Sequence, residues 1–117
     1  MDSLQSYDVL ITGGLGFTGS NLSSRLVDMG ANVTILDIVR SEEKLHSIKN
    51  IRDQVEVVDA DIRDSEAVEA AVTGQDIVYH LASKTSRLAA NENPLGNLEI
   101  NCGGSLNVLE SAAACED

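Results

Sequence analysis

The glycine-rich stretch TGGLGFTG at 12–19 limits the folds open to this chain more than any other feature. It follows a β-branched run, DVLIT at 8–12, which is typical of a strand. It precedes a segment at 17–30 whose leucines recur at helical spacing. Glycine permits sharp turns and lets other atoms approach the backbone closely. The stretch therefore predicts a strand, a tight turn and a helix in direct succession.

Strands and helices alternate along the rest of the chain. Further strands are predicted at 32–37, 54–60 and 75–83, and further helices at 41–50, 64–74 and 93–115. The expected N-caps are Ser41, Asp64 or Ser65, and Asn93, with Pro94 in the first turn of the last helix. This order predicts an α/β fold, a Rossmann-type parallel sheet with helices on both faces.

A doubly wound nucleotide-binding sheet of this kind has the strand order 3-2-1-4 over its first four strands. Such sheets usually continue to about six strands, so we expect one domain over 1–117 that is incomplete at its C-terminus. The strand at 75–83 would then form an apolar edge. We expect a homodimer or another partner to cover it.

The glycines fit the pattern G-x-x-G-x-x-G, with Gly13, Gly16 and Gly19 at its fixed positions. Gly13 would allow the turn, Gly16 the approach of a pyrophosphate, and Gly19 the close packing of helix on sheet. Amides at the start of the helix would face the phosphates. The alternative is a purely structural turn. A P-loop is excluded, because no Gly-Lys-Ser/Thr follows the glycines.

Asp37 ends the second predicted strand, 18 residues after Gly19. A carboxylate at this position accepts hydrogen bonds from an adenosine ribose and repels a 2′-phosphate. The predicted cofactor is therefore NAD(H) rather than NADP(H), although Arg40, three residues on, would weaken that preference. The alternative is a solvated acid at the end of a strand.

The charge excludes some classes of partner. The formal net charge is −11, from 19 acidic and 8 basic residues, which repels nucleic acid and anionic membranes. No apolar run approaches the roughly 18 residues of a membrane span, and the start, MDSLQSYD, lacks the features of a signal peptide. Cys102 and Cys115 have no metal-binding spacing and lie too far apart on one predicted helix to pair. We expect a cytoplasmic protein.

Four further motifs follow the glycine stretch: LD at 36–37, DADIRD at 59–64, HLAS at 80–83 and the segment 93–111. Together with the glycine stretch, they resemble the N-terminal part of the extended short-chain dehydrogenase/reductase family. That family includes the NAD-dependent sugar-nucleotide epimerases and dehydratases, and UDP-glucose 4-epimerase-like proteins are the most similar. The resemblance covers nearly the whole chain.

The resemblance implies roles for individual residues. The amides of Phe17 and Thr18 would face the pyrophosphate, Asp61 would bind the adenine amino group, and Ile62 would pack beside the ring. Leu81, Ala82 and Ser83 would line the nicotinamide ribose, while Asn101 would hold the loop after the fourth strand or contact the cofactor. The full predicted set is Gly13, Gly16, Phe17, Thr18, Gly19, Asp37, Ile38, Asp61, Ile62, Leu81, Ala82, Ser83 and Asn101.

Ordinary structural alternatives exist for several polar residues. Asp61 could instead cap a helix, and Asn101 could be a polar residue on a helix face. Lys84 could reach a phosphate, but we interpret it as a solvated loop lysine. His80 lies within a predicted strand, and we interpret it as structural rather than as a general base.

The family's chemistry uses a Tyr-x-x-x-Lys pair, which residues 1–117 do not contain. Tyr7 is followed four residues later by Ile11, and Tyr79 by Ser83. We therefore expect the chain to be inactive alone and to be the NAD-binding portion of a nucleotide-sugar epimerase or dehydratase that works by transient hydride transfer. The alternative is a non-catalytic NAD(H)-binding regulatory or structural module. A nucleotide-sugar substrate is expected for the full-length family rather than for this chain alone, and no motif specifies the sugar.

Overall fold

A four-stranded parallel sheet forms the centre of the protein, and the third, second, first and fourth strands along the chain lie side by side in that order. The computed structural model describes residues 4–39, 42–82 and 92–115. The strands are β1 Asp8–Thr12, β2 Asn32–Asp37, β3 Val55–Asp59 and β4 Ile77–His80. The helices are α1 Phe17–Asp28, α2 Glu42–Leu45, α3 Ser65–Val72, α4 Pro94–Leu98 and α5 Gly104–Ala114. The predicted fold class and strand order are confirmed.

Two apolar clusters show that both faces of the sheet are covered. Successive side chains of a strand point to opposite faces, so Val9 and Ile11 of β1 lie in one cluster and Leu10 in the other. The first cluster also contains Leu26 of α1, and the second contains Val68 of α3. Helices therefore pack on both faces, as the alternating pattern predicted.

The predicted helix at 41–50 is wrong in its extent. Only α2 is α-helical, and a 3₁₀ turn over His46–Ile48 follows it. Ile48 is fully buried, and Ser47 Oγ donates a hydrogen bond to the Leu15 carbonyl. Residues His46–Ile48 thus make contacts with the core and the glycine loop as a 3₁₀ turn, and do not continue the α-helix. Ser41, its predicted N-cap, lies outside the described residues.

The predicted strand at 75–83 is longer than the observed β4. At its start, the amide of Gln75 donates to the Val72 carbonyl within the turn that follows α3. At its end, the Leu81 amide still donates to the Thr12 carbonyl at 3.0 Å and also to the Thr12 side chain, and the Ala82 amide then donates to that side chain alone. Ser83 lies outside the described residues.

The last predicted helix contains an irregular turn. The Asn93 side chain caps α4 by accepting a hydrogen bond from the Gly96 amide, and Pro94 occupies the first turn, as predicted. A π-helical turn over Glu99–Gly103 separates α4 from α5. A Cβ on Gly104 would come within 2.6 Å of the Ile62 side chain, so a glycine is required for this close packing.

Capping of the third helix also follows the prediction. The Asp64 carboxylate accepts hydrogen bonds from the amides of Glu66 and Ala67, each at 3.2 Å. Gly74 follows the helix with a φ of 85°, in the left-handed region that favours glycine. The local sequence thus sets both ends of α3.

Candidate cofactor-binding site

A cavity of about 390 Å³ lies at the carboxyl ends of the strands, beside the glycine turn. This is the edge at which open parallel sheets bind ligands. The residues that line it are Gly13, Gly16, Leu36, Asp37, Ile38, Lys44, Ala60, Asp61, Ile62, Leu81, Ala82 and Ile100. The structure thus brings together most of the predicted cofactor-binding residues, from four different strand ends.

The glycine turn is held tightly against the neighbouring strands. Gly13 has a φ of 72°, and its amide donates a hydrogen bond to the Leu36 carbonyl at 2.8 Å. A Cβ on Gly13 would come within 2.8 Å of the Ala82 nitrogen, and one on Gly19 would collide with the Gly13 carbonyl oxygen. Gly13 and Gly19 are therefore required by the fold itself. Gly19 packs against the loop backbone rather than against the sheet.

Gly16 differs from these two glycines. A Cβ there would have only the Gly13 carbonyl oxygen nearby, at 3.5 Å, which is ordinary contact. Its φ of −75° suits any residue. Packing within the described part of the chain does not explain this glycine. Because Gly16 lines the cavity, its missing side chain leaves room for a bound group.

The start of α1 faces the same region without a capping side chain. Gly16 is the N-cap residue and can supply none, and the first turn contains no acidic residue. The positive end of the helix is therefore not neutralised locally by the described residues. Phe17 and Thr18 are exposed and are not among the residues that line the cavity, so only their backbone amides suit the predicted role.

Asp37 is fixed in orientation at the end of β2. Its Oδ2 accepts a hydrogen bond from the Leu15 amide at 3.0 Å, and its Oδ1 accepts one from the Ile38 amide at 2.8 Å. Lys44 Nζ lies 3.4 Å from the same Oδ1. The Asp37 side chain is only 14% exposed, so it is not the freely solvated acid of the alternative interpretation. Each oxygen still has lone-pair capacity for a ribose hydroxyl.

Asp61 is held by a neighbour on its own loop. Arg63 Nε lies 3.0 Å from Asp61 Oδ1, and the terminal guanidinium nitrogen Nη2 lies 2.6 Å from Oδ2. This pairing with Asp61 raises the pKa of Arg63 above its ordinary value. Arg63 also approaches Glu99, at 3.6 Å. Asp64 rather than Asp61 caps α3, which argues against the helix-capping alternative for Asp61.

Thr12 connects the end of β1 to the segment after β4. Its Oγ1 accepts hydrogen bonds from the amides of Leu81, at 3.0 Å, and Ala82, at 3.2 Å. Thr12 is fully buried. The contact holds the backbone of Leu81 and Ala82 against Gly13, and so shapes one wall of the cavity.

His80 extends this network to the last helix. Its Nδ1 lies 2.7 Å from Thr12 Oγ1, and its Nε2 lies 2.9 Å from Ser105 Oγ. Ser105 donates its own proton to the Asn101 carbonyl oxygen at 2.6 Å, so it accepts from Nε2–H, while Thr12 donates to Nδ1. Burial lowers the pKa of His80, and the neutral ring satisfies every partner. This arrangement agrees with a structural role.

The remaining predicted residues lie near the cavity or outside the part of the chain that the structure describes. Asn101 belongs to the π-helical turn next to Ile100, which lines the cavity, although Asn101 itself does not. Ser83, Arg40 and Lys84 fall outside the described residues. Across the described ranges there is no group of three His, Cys, Asp or Glu able to hold a metal ion. No described helix is long and apolar enough to cross a membrane.

Sequence reasoning missed the cavity residues Leu36, Ala60, Ile100 and Lys44. Leu36 directly precedes Asp37 and Ala60 directly precedes Asp61. Their adjacency to predicted cofactor-binding residues could have identified them as lining residues. Ile100 reaches the cavity only through the packing of the last helix. Lys44 lies 3.4 Å from Asp37 Oδ1, a tertiary contact that no local pattern in the sequence indicates.

Comparison with known proteins connects this geometry to one family. The profile of the NAD dependent epimerase/dehydratase family matches residues 9–116. The chain belongs to that family. CDP-paratose 2-epimerase of Salmonella typhi is 35% identical over an alignment of 108 positions, which covers 88% of this chain and 32% of that protein.

Solved epimerase structures agree with this assignment. An epimerase of Methanothermobacter thermautotrophicus superposes with a TM-score of 0.82 at 35% identity. The superposition covers 95% of this chain and 33% of the epimerase chain. UDP-glucose 4-epimerase of Thermus thermophilus, solved in complex with NAD, superposes with a TM-score of 0.73 at 34% identity. The superposition covers 89% of this chain and 33% of that epimerase chain. The chain thus spans about a third of the length of these relatives.

The described residues fit the cofactor of this NAD-dependent family. The open space at Gly16 allows a group to approach the start of α1, and Asp37 and Asp61 provide carboxylate acceptors. Ala60, Ile62 and Ile100 add apolar walls suited to a planar ring. The site thus combines an apolar pocket, two polar anchors and a helix N-terminus.

Proposed function

We propose that this chain binds NAD(H) in the cavity at the carboxyl ends of its strands. The adenosine half would lie against Ile62, with Asp37 accepting from the ribose and Asp61 from the adenine amino group. The pyrophosphate would lie at Gly16 and the first amides of α1. Leu81 and Ala82 would border the nicotinamide ribose.

The absence of a packing reason for Gly16 is the observation that supports this proposal most directly. Gly13 and Gly19 are explained by protein contacts, whereas a Cβ on Gly16 would meet only one atom, at an ordinary distance. A glycine there is explained by a ligand that comes close to the backbone. The helix N-terminus beside it favours an anionic ligand, even in a protein with a net charge of −11.

We further propose that the chain is the cofactor-binding portion of an enzyme that acts on a nucleotide sugar. NAD would supply a hydride acceptor that takes hydride from the sugar and returns it. The described residues would bind and orient this cofactor. Proton transfer would require the Tyr-x-x-x-Lys pair, which is absent from residues 1–117.

Calorimetric titration with NAD tests the binding proposal. We expect saturable binding by the native protein, and an affinity about tenfold lower or worse for Gly16→Ala. Gly103→Ala is the matched control, because a Cβ there meets no atom within 4 Å and Gly103 does not line the cavity. Absence of saturable NAD binding by the native protein, or equal affinities for both variants, would contradict the proposal.

The enzymatic part has its own test. Incubation of residues 1–117 with NAD and UDP-glucose should give binding of NAD without conversion of the sugar, because these residues contain no Tyr-x-x-x-Lys pair. Chromatography of the nucleotide sugars measures this directly. Conversion by a preparation shown to be free of other proteins would mean that proton transfer uses residues other than that pair.

A further inference from the structure

Lys44 places a positive charge beside Asp37, in the part of the cavity where we propose that the adenosine ribose binds. Its Nζ lies 3.4 Å from Asp37 Oδ1 and donates toward the Ile38 carbonyl oxygen, also at 3.4 Å. Among the cavity-lining residues that the structure describes, it is the only cation. Its side chain is 41% exposed, so a ligand entering the cavity can reach the ammonium group.

Neither partner of this ion pair depends on it for its position. Two backbone amides, of Leu15 and Ile38, already orient the Asp37 carboxylate. The segment that contains Lys44 is anchored by the fully buried Ile48 and by the hydrogen bond from Ser47 to the Leu15 carbonyl. Partly exposed ion pairs contribute only about 0–1 kcal/mol to stability. A structural role alone therefore explains little of why this lysine lies here.

The charge balance has a direct consequence for recognition. Asp37 alone would repel a phosphate on the 2′-oxygen of the ribose and favour a free hydroxyl. An ammonium group beside the same carboxylate oxygen offsets part of this repulsion and can donate to a phosphate oxygen.

We propose that Lys44 determines how strongly this site distinguishes a 2′-hydroxyl from a 2′-phosphate, and that it makes the site tolerate NADP as well as NAD. This inference rests on the proposed cofactor site. It assigns to Lys44 a role in specificity rather than in basal affinity. Without the lysine, the site would be more selective for NAD.

Calorimetric titration with 5′-AMP and with 2′,5′-ADP (adenosine 2′,5′-bisphosphate) isolates the 2′-phosphate, because the two ligands differ only in that group. We expect Lys44→Met to weaken binding of 2′,5′-ADP about fivefold or more, as the loss of one partly exposed charge pair predicts, while AMP affinity changes less than about twofold. Lys44→Arg should retain binding of 2′,5′-ADP. Lys49→Met is the matched control, because Lys49 is exposed and does not line the cavity; it should change neither affinity.

The outcomes separate the two proposals. If the native protein binds neither AMP nor NAD, the proposed cofactor site itself is wrong. If AMP binds, but Lys44→Met leaves the ratio of the AMP and 2′,5′-ADP affinities unchanged, the specificity role of Lys44 is overturned. Circular dichroism confirms that the variants fold, and Lys44→Gln provides a second neutral substitution. Titration with NAD and NADP should reproduce the same change in ratio.

Discussion

The Nδ1 of His80 lies 2.7 Å from the Oγ1 of Thr12, and this contact joins the carboxyl ends of two neighbouring strands, β4 and β1. The same Thr12 oxygen accepts the amides of Leu81 and Ala82. One buried hydroxyl thus sets the course of the chain as it leaves the sheet beside the glycine turn. The wall of the candidate site depends on this contact.

Thr12→Val should destabilise the protein by about 1–3 kcal/mol, because the substitution removes the buried hydroxyl that pairs with the Ala82 amide and the His80 ring, while the Leu81 amide keeps the Thr12 carbonyl. It should also weaken NAD binding, because Leu81 and Ala82 lose the side-chain acceptor that they share. Urea denaturation and calorimetry measure the two effects. Thr34→Val, in β2, is the control for the loss of a strand threonine. Equal unfolding free energies for the two variants would contradict the anchoring role.

The stability of the protein should fall as the pH decreases below about 6.5, the ordinary pKa of histidine. Burial lowers the pKa of His80 in the folded state, so the unfolded state takes up the proton first. The contribution is present above the unfolded pKa and is lost as the pH falls toward the lower folded pKa. Denaturant titrations between pH 5 and 8 should show a weaker pH dependence for His80→Gln; parallel profiles would refute the assignment.

Gly19→Ala should destabilise the protein by about 1–3 kcal/mol or more, because the added Cβ would collide with the loop backbone at Gly13 and Gly14. This loss opposes the usual gain from placing alanine in a helix. Gly103→Ala has open space and should be neutral or stabilising by up to about 1 kcal/mol. Thermal denaturation of both variants compares them. A stable Gly19→Ala protein would show that the loop can move away.

Asp61→Asn should reduce the preference for adenine over hypoxanthine by about tenfold, because the carboxylate is proposed to accept from the adenine amino group. Titration with AMP and IMP measures the ratio. Asp53→Asn removes an equal charge from an exposed 3₁₀ turn and serves as the control. An unchanged ratio in Asp61→Asn would mean that Asp61 only holds Arg63.

The outer edge of β4 should make the protein associate with another copy of itself or with a partner chain. This strand lies at one end of the sheet order within the described part of the chain. Unpaired strand edges promote pairing with other chains. Sedimentation velocity over a range of concentrations should show a dimer or a partner-dependent species. A monodisperse monomer with highly cooperative unfolding would contradict this expectation.

Much of the fold could be predicted because the deciding features are local. The period of the apolar residues distinguishes strands from helices, and Asp64, Asn93 and Gly74 mark helix ends through contacts within a few residues. The sheet order followed from the handedness of parallel crossovers and the usual course of nucleotide-binding sheets. The errors fell where tertiary contacts override local pattern, as in the short α2 and the π-helical turn before Gly104.

The candidate site divides in the same way. By itself the sequence determined the glycine turn, the carboxylates at strand ends and the strand–helix alternation, because turn chemistry and side-chain periodicity act over a few residues. Only the tertiary structure decided that Lys44 contacts Asp37, that Ile100 lines the cavity and that Thr12, His80 and Ser105 form one hydrogen-bond network. These contacts join residues distant in the chain, and their geometry follows from how the core packs.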